Sequence, residues 1–478
     1  MTNYLFDGHG VSRSIFIGSI LYIMLSQNEL LHKYNTQVPR YTSYPTVPFW
    51  KEMTADQSWI EGFQYNFHQQ NSQEGISLYL HLPFCESLCT YCGCNKKITT
   101  NHSVEEEYIN VMLKEWKMYR GLMDEVPVIR ELHLGGGTPT FFSPQNLQRL
   151  LEGIFQSAII HPQHEFSLEG HPNNTTVEHL KTLYQLGFRR VSYGVQDNDP
   201  IVQRAINRIQ PLENVRRATE NARSIGYHSV NFDLIYGLPF QTLTGEAKTI
   251  DETIQLQPDR IAFYSYAHVP WKQKAQRLFD ENDLPSPELK TQLYLLAKEK
   301  FGLAGYSDIG MDHFALPHDD LYQSWKEGSL HRNFMGYTTT HTSFLLGLGV
   351  SAISDFGTAY SQNHKELSNY FRLINEGEFA INKGYFLSKP DQVFKRYILE
   401  TACKGMVTFK KEYYDLLLRH SIPRLKLLDK DGLITLGKEG FKVNETGRQY
   451  LRNICQAFDL EWWQSEAKAE VEIFSKSV

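Results

Sequence analysis

Cysteine is scarce in this chain, and its distribution limits the classes of protein to which the chain can belong. The 478 residues include only six cysteines, and four of them, Cys85, Cys89, Cys92 and Cys94, fall within ten residues. A secreted disulfide framework spreads its cysteines along a much shorter chain. The clustering therefore favours a metal or redox site in a reducing compartment.

Long apolar runs are also missing. No run of about eighteen apolar residues exists, so the sequence predicts no transmembrane helix and no membrane partner. The best candidate, Ile15–Leu25, is short and lacks a clear signal-peptide cleavage pattern. We expect residues 1–24 to be an N-terminal extension, with the true start near Met24.

A strong net charge is absent too. Lys and Arg total 48 against 54 Asp and Glu, which leaves a net charge of -6. This balance gives no reason to expect nucleic acid as a partner. Charged residues make up 21% of the chain and hydrophobic residues 41%, proportions that exclude a disordered, collagen-like or coiled-coil chain.

From residue 77 the sequence alternates strand-like and helix-like segments. The strand candidates are short, rich in β-branched and aromatic residues, and bounded by Gly, Pro or Asn. They are Ser77–Leu82, Glu131–Leu134, Glu165–Glu169, Arg190–Gln196, Ser229–Ile235 and Arg260–Ala267. Because strands separated by single helices pair in parallel, these six units predict an α/β fold, namely an open, partial (βα)6 TIM-like barrel.

Glycine or functional side chains follow each predicted strand. The cysteine cluster follows the first strand and Gly135–Thr138 follow the second, while Glu169, Gln196, Asp233 and Ala267 lie at the ends of the others. Parallel barrels build their active sites at the carboxyl ends of their strands. The pattern therefore predicts one site built from all six strand ends.

The pattern changes towards the C-terminus, where helical stretches precede a small hairpin and a last helix. This order resembles a winged-helix module, but its helices lack a dense basic face, so we favour a lid or docking role over DNA binding. We divide the chain into the extension at 1–24, an N-terminal segment at 25–76, the barrel and its extension at 77–390, and a mostly helical, winged-helix-like domain at 391–478.

The spacing Cys85-x3-Cys89-x2-Cys92 places three thiols on one short loop. Thiolates hold iron–sulfur clusters, and four irons normally take four ligands, so three thiolates leave one iron open. A zinc site needs four ligands in paired spacing. Zinc, or plain buried thiols, is the alternative reading of the loop. Cys403 and Cys455 are most simply free buried thiols.

The same loop, with Tyr91 before its third cysteine, resembles the radical S-adenosylmethionine (SAM) superfamily. Further motifs narrow the resemblance to the oxygen-independent coproporphyrinogen III oxidase family and extend it over nearly the whole chain. These motifs are PRYTSYPT at 39–46, YxHxPFC at 79–85, CGCNK at 92–96, GGGTPT at 135–140, GVQD at 194–197, DLIYGLP at 233–239, GMDHF at 310–314, HRNF at 331–334 and GVSAI at 349–353.

The resemblance implies a 4Fe–4S cluster held by Cys85, Cys89 and Cys92, whose open iron binds SAM. Cleavage of SAM yields a 5′-deoxyadenosyl radical. In this family the radical drives the oxidative decarboxylation of two propionates of coproporphyrinogen III to vinyl groups. The product is protoporphyrinogen IX, an intermediate of heme biosynthesis.

The resemblance also implies two SAM molecules. The first would contact Tyr79, Gly136, Glu169 and the open iron. The second would lie against Tyr91, Gly137, Thr138, Gln196, Arg208, Asp233, Ala267 and Ile353.

Catalytic and substrate-binding residues follow from the same resemblance. Cys94, Tyr79 and Glu169 are the expected catalytic residues, with Cys94 not bound to iron. Four carboxylates on the substrate require cations, and Arg40 is the first candidate. The other candidates are Lys96, Arg208 and Arg332. We expect the segment at 25–76 to cover the substrate, reduced flavodoxin or ferredoxin to donate electrons, and the protein to be a cytoplasmic monomer.

Three alternatives stay open. One is a heme chaperone of the same fold, whose relatives tend to lack the fourth cysteine that Cys94 supplies here. Another is a radical SAM methyltransferase or heme-degrading relative, and the third is a DNA-binding regulator. The chain departs from the family pattern at Gly170-His171, Tyr193 and Met335, which we expect near the ligand pocket.

Overall fold

The computed structural model describes residues 29–271 and 273–465. The predicted extension at 1–24 lies outside the described residues. None of the helices in the described ranges is long and apolar enough to cross a bilayer.

The strands are numbered in chain order. They are β1 (Lys51–Glu52), β2 (Ile76–Leu82), β3 (Phe84–Cys85), β4 (Lys97–Ile98), β5 (Val128–Gly136), β6 (Ile159–Gly170), β7 (Phe188–Gln196), β8 (Ser229–Tyr236), β9 (Arg260–Ser265), β10 (Ser307–Gly310), β11 (His313–Ala315), β12 (His331–Asn333), β13 (Gly336–Thr338), β14 (Leu345–Leu348), β15 (Ile353–Asp355), β16 (Ala359–Asn363), β17 (Ile381–Phe386), β18 (Met406–Thr408), β19 (Ile434–Leu436) and β20 (Gly440–Val443).

The helices follow the same convention. They are α1 (Gln57–Asn71), α2 (Val104–Leu122), α3 (Pro144–Phe155), α4 (Val177–Gln185), α5 (Pro200–Ala205), α6 (Leu212–Ile225), α7 (Leu243–Leu256), α8 (Pro287–Leu303), α9 (Asp320–Glu327), α10 (Leu367–Glu376), α11 (Lys389–Lys404), α12 (Tyr414–Leu416), α13 (Ile422–Lys430), α14 (Leu451–Gln456) and α15 (Leu460–Ser465). A π-helical turn at Leu417–Ser421 joins α12 to α13.

One mixed sheet of thirteen strands organises the molecule. Its middle consists of six parallel strands in the order β2-β5-β6-β7-β8-β9. The predicted partial (βα)6 barrel is therefore confirmed. β14 adds in parallel beside β2, and antiparallel strands extend both edges of the sheet, β15-β16-β17-β1 on one side and β11-β10 on the other.

The helices between the parallel strands begin where the sequence marks their starts. The Ser143 side chain accepts the N–H of Asn146 at the start of α3, and Thr176 accepts the N–H of His179 at the start of α4. Such caps satisfy donors that the first helical turn leaves free. The apolar faces of these helices then pack on the sheet.

One predicted detail of the strands is wrong. The sixth barrel strand, β9, ends at Ser265 and not at Ala267, because its partner β8 ends at Tyr236, directly opposite Ser265. The predicted C-terminal hairpin is confirmed, since β19 pairs with β20, and β18 extends it to a three-stranded sheet by pairing with the other edge of β20.

Two large apolar cores hold the fold together. One lies between the barrel strands and their helices and includes Trp59 and Phe63 of α1. The other is formed mostly by the helical C-terminal unit, and it includes Val38, Tyr41 and Tyr44 from the N-terminal segment. The N-terminal segment is therefore packed into both units.

Arg260 and Asp319 form a buried, satisfied ion pair inside the barrel. Arg260 donates from Nε to Oδ1 of Asp319 at 2.6 Å, and the two side chains are 7% and 1% exposed. Asp319 also accepts the Ser229 hydroxyl at 2.7 Å and the backbone N–H of Leu321 at 2.7 Å. Burial of this pair is tolerated because each charge has a partner.

We expect Arg260→Met to lower the free energy of unfolding by about 3–5 kcal/mol, because it leaves the Asp319 charge buried and unpaired. Arg372→Met is the matched control, since Arg372 pairs with Glu376 on the surface and such pairs contribute less than about 1 kcal/mol. Thermal unfolding of both variants measures the difference. Equal shifts in the midpoint would contradict the assignment.

Candidate active site

The cysteine loop follows β2 and lies between β3 and β4. Cys85, Cys89, Cys92 and Cys94 all line one cavity of about 300 Å³, the thiol cavity, together with residues from the carboxyl ends of the barrel strands. The Cys85 Sγ lies 3.3 Å from Oγ1 of Thr138, which follows β5. The loop therefore presents its thiols to one wall of the barrel mouth.

The ionisation of two loop thiols differs. Burial raises the pKa of Cys85 to about 11. A hydrogen bond from the Cys94 thiol, with the charge of Lys96, lowers the pKa of Cys92 to about 6 although burial opposes it. The thiolate is the form that binds metal. The surroundings of Cys92 therefore favour the form in which it can act as a metal ligand.

No three His, Cys, Asp or Glu side chains within residues 29–271 and 273–465 converge closely enough to hold one metal ion. The thiols of an iron–sulfur cluster bind different irons. Such convergence is therefore not needed for a cluster on this loop.

The glycine loop after β5 lies directly against the cysteine loop. The N–H of Gly137 donates to the carbonyl of Leu82 at 2.8 Å. A Cβ at Gly137 would lie 2.6 Å from the carbonyl carbon of Pro83. Gly136 has a φ of +117°, a conformation that residues with a Cβ avoid. Glycine is therefore required here by close backbone approach.

Glu169 lies near the end of β6 and faces the thiol cavity. Its carboxylate accepts hydrogen bonds from Nε2 of His133 at 3.4 Å and from the N–H of Gly136 at 3.3 Å. Burial raises the pKa of Glu169, but these donors outweigh it and hold the pKa below its ordinary value. Tyr79 lies beside it, since a Cβ on Gly135 would come within 3.0 Å of Tyr79 and 3.1 Å of Glu169.

Arg208 and Asp233 bring opposite charges to the same cavity. Arg208 donates to the carbonyl of Gly194 at 2.6 Å and lies 3.7 Å from Sγ of Cys89. Its Nε is buried with no hydrogen-bond partner among the described residues. Asp233 accepts the Ser192 hydroxyl at 2.8 Å, and burial raises the pKa of Asp233 to about 6.

Eight of the eleven predicted cofactor-binding residues line the thiol cavity. They are Tyr91, Gly136, Gly137, Thr138, Glu169, Gln196, Arg208 and Asp233. Gln196 has a φ of +66°, an uncommon conformation for a residue other than glycine.

The other three residues lie outside the lining of the thiol cavity. Tyr79 adjoins it beside Glu169. Ala267 is connected to Tyr91 of the cavity lining through Gln276. The Gln276 amide donates to the carbonyl of Ala267 at 3.2 Å and to that of Tyr91 at 3.3 Å. Ile353 lies on β15, beyond the strand β14 that pairs with β2, and it packs against a separate small core. Ile353 therefore does not line the thiol cavity.

Two further cavities adjoin the thiol cavity. The middle cavity, of about 220 Å³, shares Asp233 and Tyr264 with it. The arginine cavity, of about 170 Å³, shares Tyr264, His313 and Met335 with the middle cavity. Tyr264 thus borders all three, yet its only signal in the sequence is its place in the sixth predicted strand.

The predicted substrate-binding cations divide between the two ends of this row of cavities. Arg40 and Arg332 line the arginine cavity, and the Arg40 guanidinium lies 5.2 Å from the centre of the Tyr264 ring. Lys96 and Arg208 line the thiol cavity. Arg452 also lines the arginine cavity, although the sequence did not predict it as a substrate-binding residue.

The departures from the family pattern at His171 and Met335 lie where we expect them. His171 lines the thiol cavity, where burial lowers its pKa to about 3, and Met335 lines the two other cavities. Tyr193 lies beside the thiol cavity but does not line it. Side chains alternate along a strand, so Ser192 and Gly194 face the cavity while Tyr193 is buried beneath α6.

Comparison with known proteins defines the class of this fold and site. Residues 79–252 match the family described as the Radical SAM superfamily, so the chain is a radical SAM protein. The oxygen-independent coproporphyrinogen III oxidase of Pseudomonas aeruginosa is 38% identical over 443 residues, which cover 90% of this chain and 95% of that protein. The oxidase of Escherichia coli strain K12 is 37% identical over 455 residues, which cover 94% and 98%.

A solved structure agrees with these relatives. Coproporphyrinogen III oxidase from Escherichia coli, described as a radical SAM enzyme, has a TM-score of 0.83 at 36% identity and covers 89% of this chain and 100% of its own. The chain therefore belongs to the oxygen-independent coproporphyrinogen III oxidase family. Its cofactors are a 4Fe–4S cluster and SAM.

The residues present fit these cofactors. All four thiols line the thiol cavity, and Gly136 and Gly137 line it beside them. The Nε–H of Arg208 is buried without a hydrogen-bond partner among the described residues, so it can donate to a bound cofactor. Asp233 supplies an acceptor on the same cavity.

We expect Gly137→Ala to destabilise the barrel mouth by about 1–3 kcal/mol, because its Cβ would press on the backbone of Pro83. The iron content of the reconstituted protein should fall with stability. Gly121→Ala is the control, since a Cβ there has nothing within 4 Å and helical alanine is favoured. Thermal unfolding and iron analysis test both variants, and a fully stable, iron-loaded Gly137→Ala protein would contradict the packing argument.

Proposed function

We propose that the chain catalyses the oxygen-independent oxidative decarboxylation of two propionates of coproporphyrinogen III, giving protoporphyrinogen IX for heme biosynthesis. Each propionate loses one hydrogen atom, one electron and CO2, and becomes a vinyl group. The proposal is carried by one observation. The cysteine loop meets Glu169, Arg208 and Asp233 in one cavity, in a chain that matches such oxidases over 90% of its length.

In this proposal Cys85, Cys89 and Cys92 would hold the cluster, and Tyr79, Gly136 and Glu169 would hold the first SAM beside it. The cluster and SAM supply the electron and the hydrogen-abstracting radical that side chains lack. A second SAM would be held by the eight residues predicted for it, six of which line the thiol cavity. Cys94 stays off the iron and acts as a catalytic residue.

The charged residues of the cavity orient the cofactor. Glu169 stays ionised because His133 and the N–H of Gly136 donate to it, so it can accept hydrogen bonds from an ammonium or ribose. Tyr79 packs beside it. Arg208 and Asp233 match the two charges of a methionine group.

We propose that the N-terminal segment at 25–76 covers the substrate, above the barrel at 77–390 and beside the C-terminal domain at 391–478. Arg40 donates to the carbonyl of Ser265 at the barrel mouth at 2.9 Å. Its neighbour Tyr41 donates to Asp459 of the C-terminal unit at 2.9 Å. We further propose a monomeric cytoplasmic enzyme that takes electrons from reduced flavodoxin or ferredoxin.

Replacing Cys85, Cys89 or Cys92 by Ala should each abolish cluster binding, because a cluster ligand is lost. Cys94→Ala should retain iron yet lose product formation. Cys403→Ala is the control, since Cys403 is buried in the second core. Iron and sulfide per chain after anaerobic reconstitution measure the result. A triple variant at the three ligand positions that still carries a full cluster would overturn the ligand assignment.

The anaerobic protein with reductant, SAM and coproporphyrinogen III should form protoporphyrinogen IX, CO2 and 5′-deoxyadenosine. Chromatography of the oxidised porphyrins and of the nucleoside measures both products, with the Cys85→Ala protein as the blank. Heme binding without turnover would overturn the proposed reaction and favour a heme chaperone.

A further inference from the structure

The arginine cavity collects more positive charge than its own residues neutralise. Its lining includes three guanidinium groups, of Arg40, Arg332 and Arg452, and one carboxylate, of Asp312. Arg40 donates to a backbone carbonyl at 2.9 Å. A backbone carbonyl orients a guanidinium but carries no net charge. The excess of arginines over carboxylates favours an anion.

Arg332 has unused donors in this cavity. The residue is 6% exposed, and its Nε and Nη1 are buried without hydrogen-bond partners in the described part of the chain. Its Nη2 donates to the carbonyl of Arg40 at 3.3 Å, and its guanidinium lies 4.8 Å from the centre of the Tyr337 ring. Buried charged donors without partners are costly, so a bound anion would stabilise this arrangement.

The size and position of the cavity indicate which anion fits. At about 170 Å³ it is smaller than the ~300–1,000 Å³ typical of pockets that enclose whole ligands. It can receive a side-chain carboxylate but not a macrocycle. It shares Tyr264 and Met335 with the middle cavity, and the middle cavity shares Glu169 and Asp233 with the thiol cavity. A planar guanidinium matches a carboxylate through two parallel hydrogen bonds.

We propose that Arg332, flanked by Arg40 and Arg452, binds one of the two propionate carboxylates that the reaction leaves intact. The inference rests on the proposed function. A tetrapyrrole anchored there would lie over the middle cavity, with another arm directed towards the thiol cavity. Arg332 then determines which tetrapyrroles the enzyme accepts.

Equilibrium titration of the full-length, cluster-loaded protein with three stable porphyrins tests this. Coproporphyrin III has four carboxylates, mesoporphyrin IX keeps only the two that correspond to the unreacted propionates, and a neutral tetra-amide of coproporphyrin III has none. We expect Arg332→Gln to raise the Kd of the first two by about 10- to 100-fold and to leave that of the amide unchanged. Arg372→Gln, at the exposed pair with Glu376, is the matched control.

Arg332→Lys keeps the positive charge but loses the planar guanidinium. We expect a smaller loss of affinity, again for the two carboxylate porphyrins and not for the amide. It provides the test if Arg332→Gln does not fold. Unchanged binding of both carboxylate porphyrins, equal weakening of all three ligands, or weakening of coproporphyrin III alone would overturn the inference. These titrations need no turnover, so a wild-type protein that fails to decarboxylate coproporphyrinogen III would refute the proposed function separately.

Discussion

The hydrogen bond from the N–H of Gly137 to the carbonyl of Leu82, 2.8 Å long, is the contact on which the active-site mouth depends. It joins the loops that leave two neighbouring parallel strands, β2 and β5. A side chain at Gly137 would strike the Pro83 backbone, so the contact requires glycine. Because the cysteine loop begins at this point, its thiols face the residues at the ends of the other strands.

Charge is sorted along the row of three cavities. Near the thiols, positive and negative groups occur together, as Arg208 and Asp233 do. In the arginine cavity, positive charge predominates. Tyr264 borders all three of these cavities, and the Arg40 guanidinium lies over the face of its ring. This separation suits a reaction in which cofactor groups of mixed charge act on an arm of a molecule whose other arms are anionic.

Much of the barrel could be predicted because its signals are local. Each of the six strands is a short apolar run bounded by turn residues, and Ser143 and Thr176 mark helix starts by capping them. Eight of the eleven predicted cofactor-binding residues share a cavity for the same reason, since parallel strand ends meet at one edge. The family pattern indicated that Tyr193 lies near the cavity, but only the alternation of side chains along its strand shows that its ring faces away from it.

The sequence by itself determined the three-thiol loop, the parallel strands and the residues at their ends, because spacing and periodicity depend on near neighbours. Only the tertiary structure decided that Arg40, Arg332 and Arg452, which are hundreds of positions apart, line one cavity. It also decided that Ile353 lies on the strand beyond β14, outside the lining of the thiol cavity. Both outcomes depend on how the N-terminal segment and the C-terminal unit pack over the barrel, and long-range packing of this kind leaves no periodic trace in the chain.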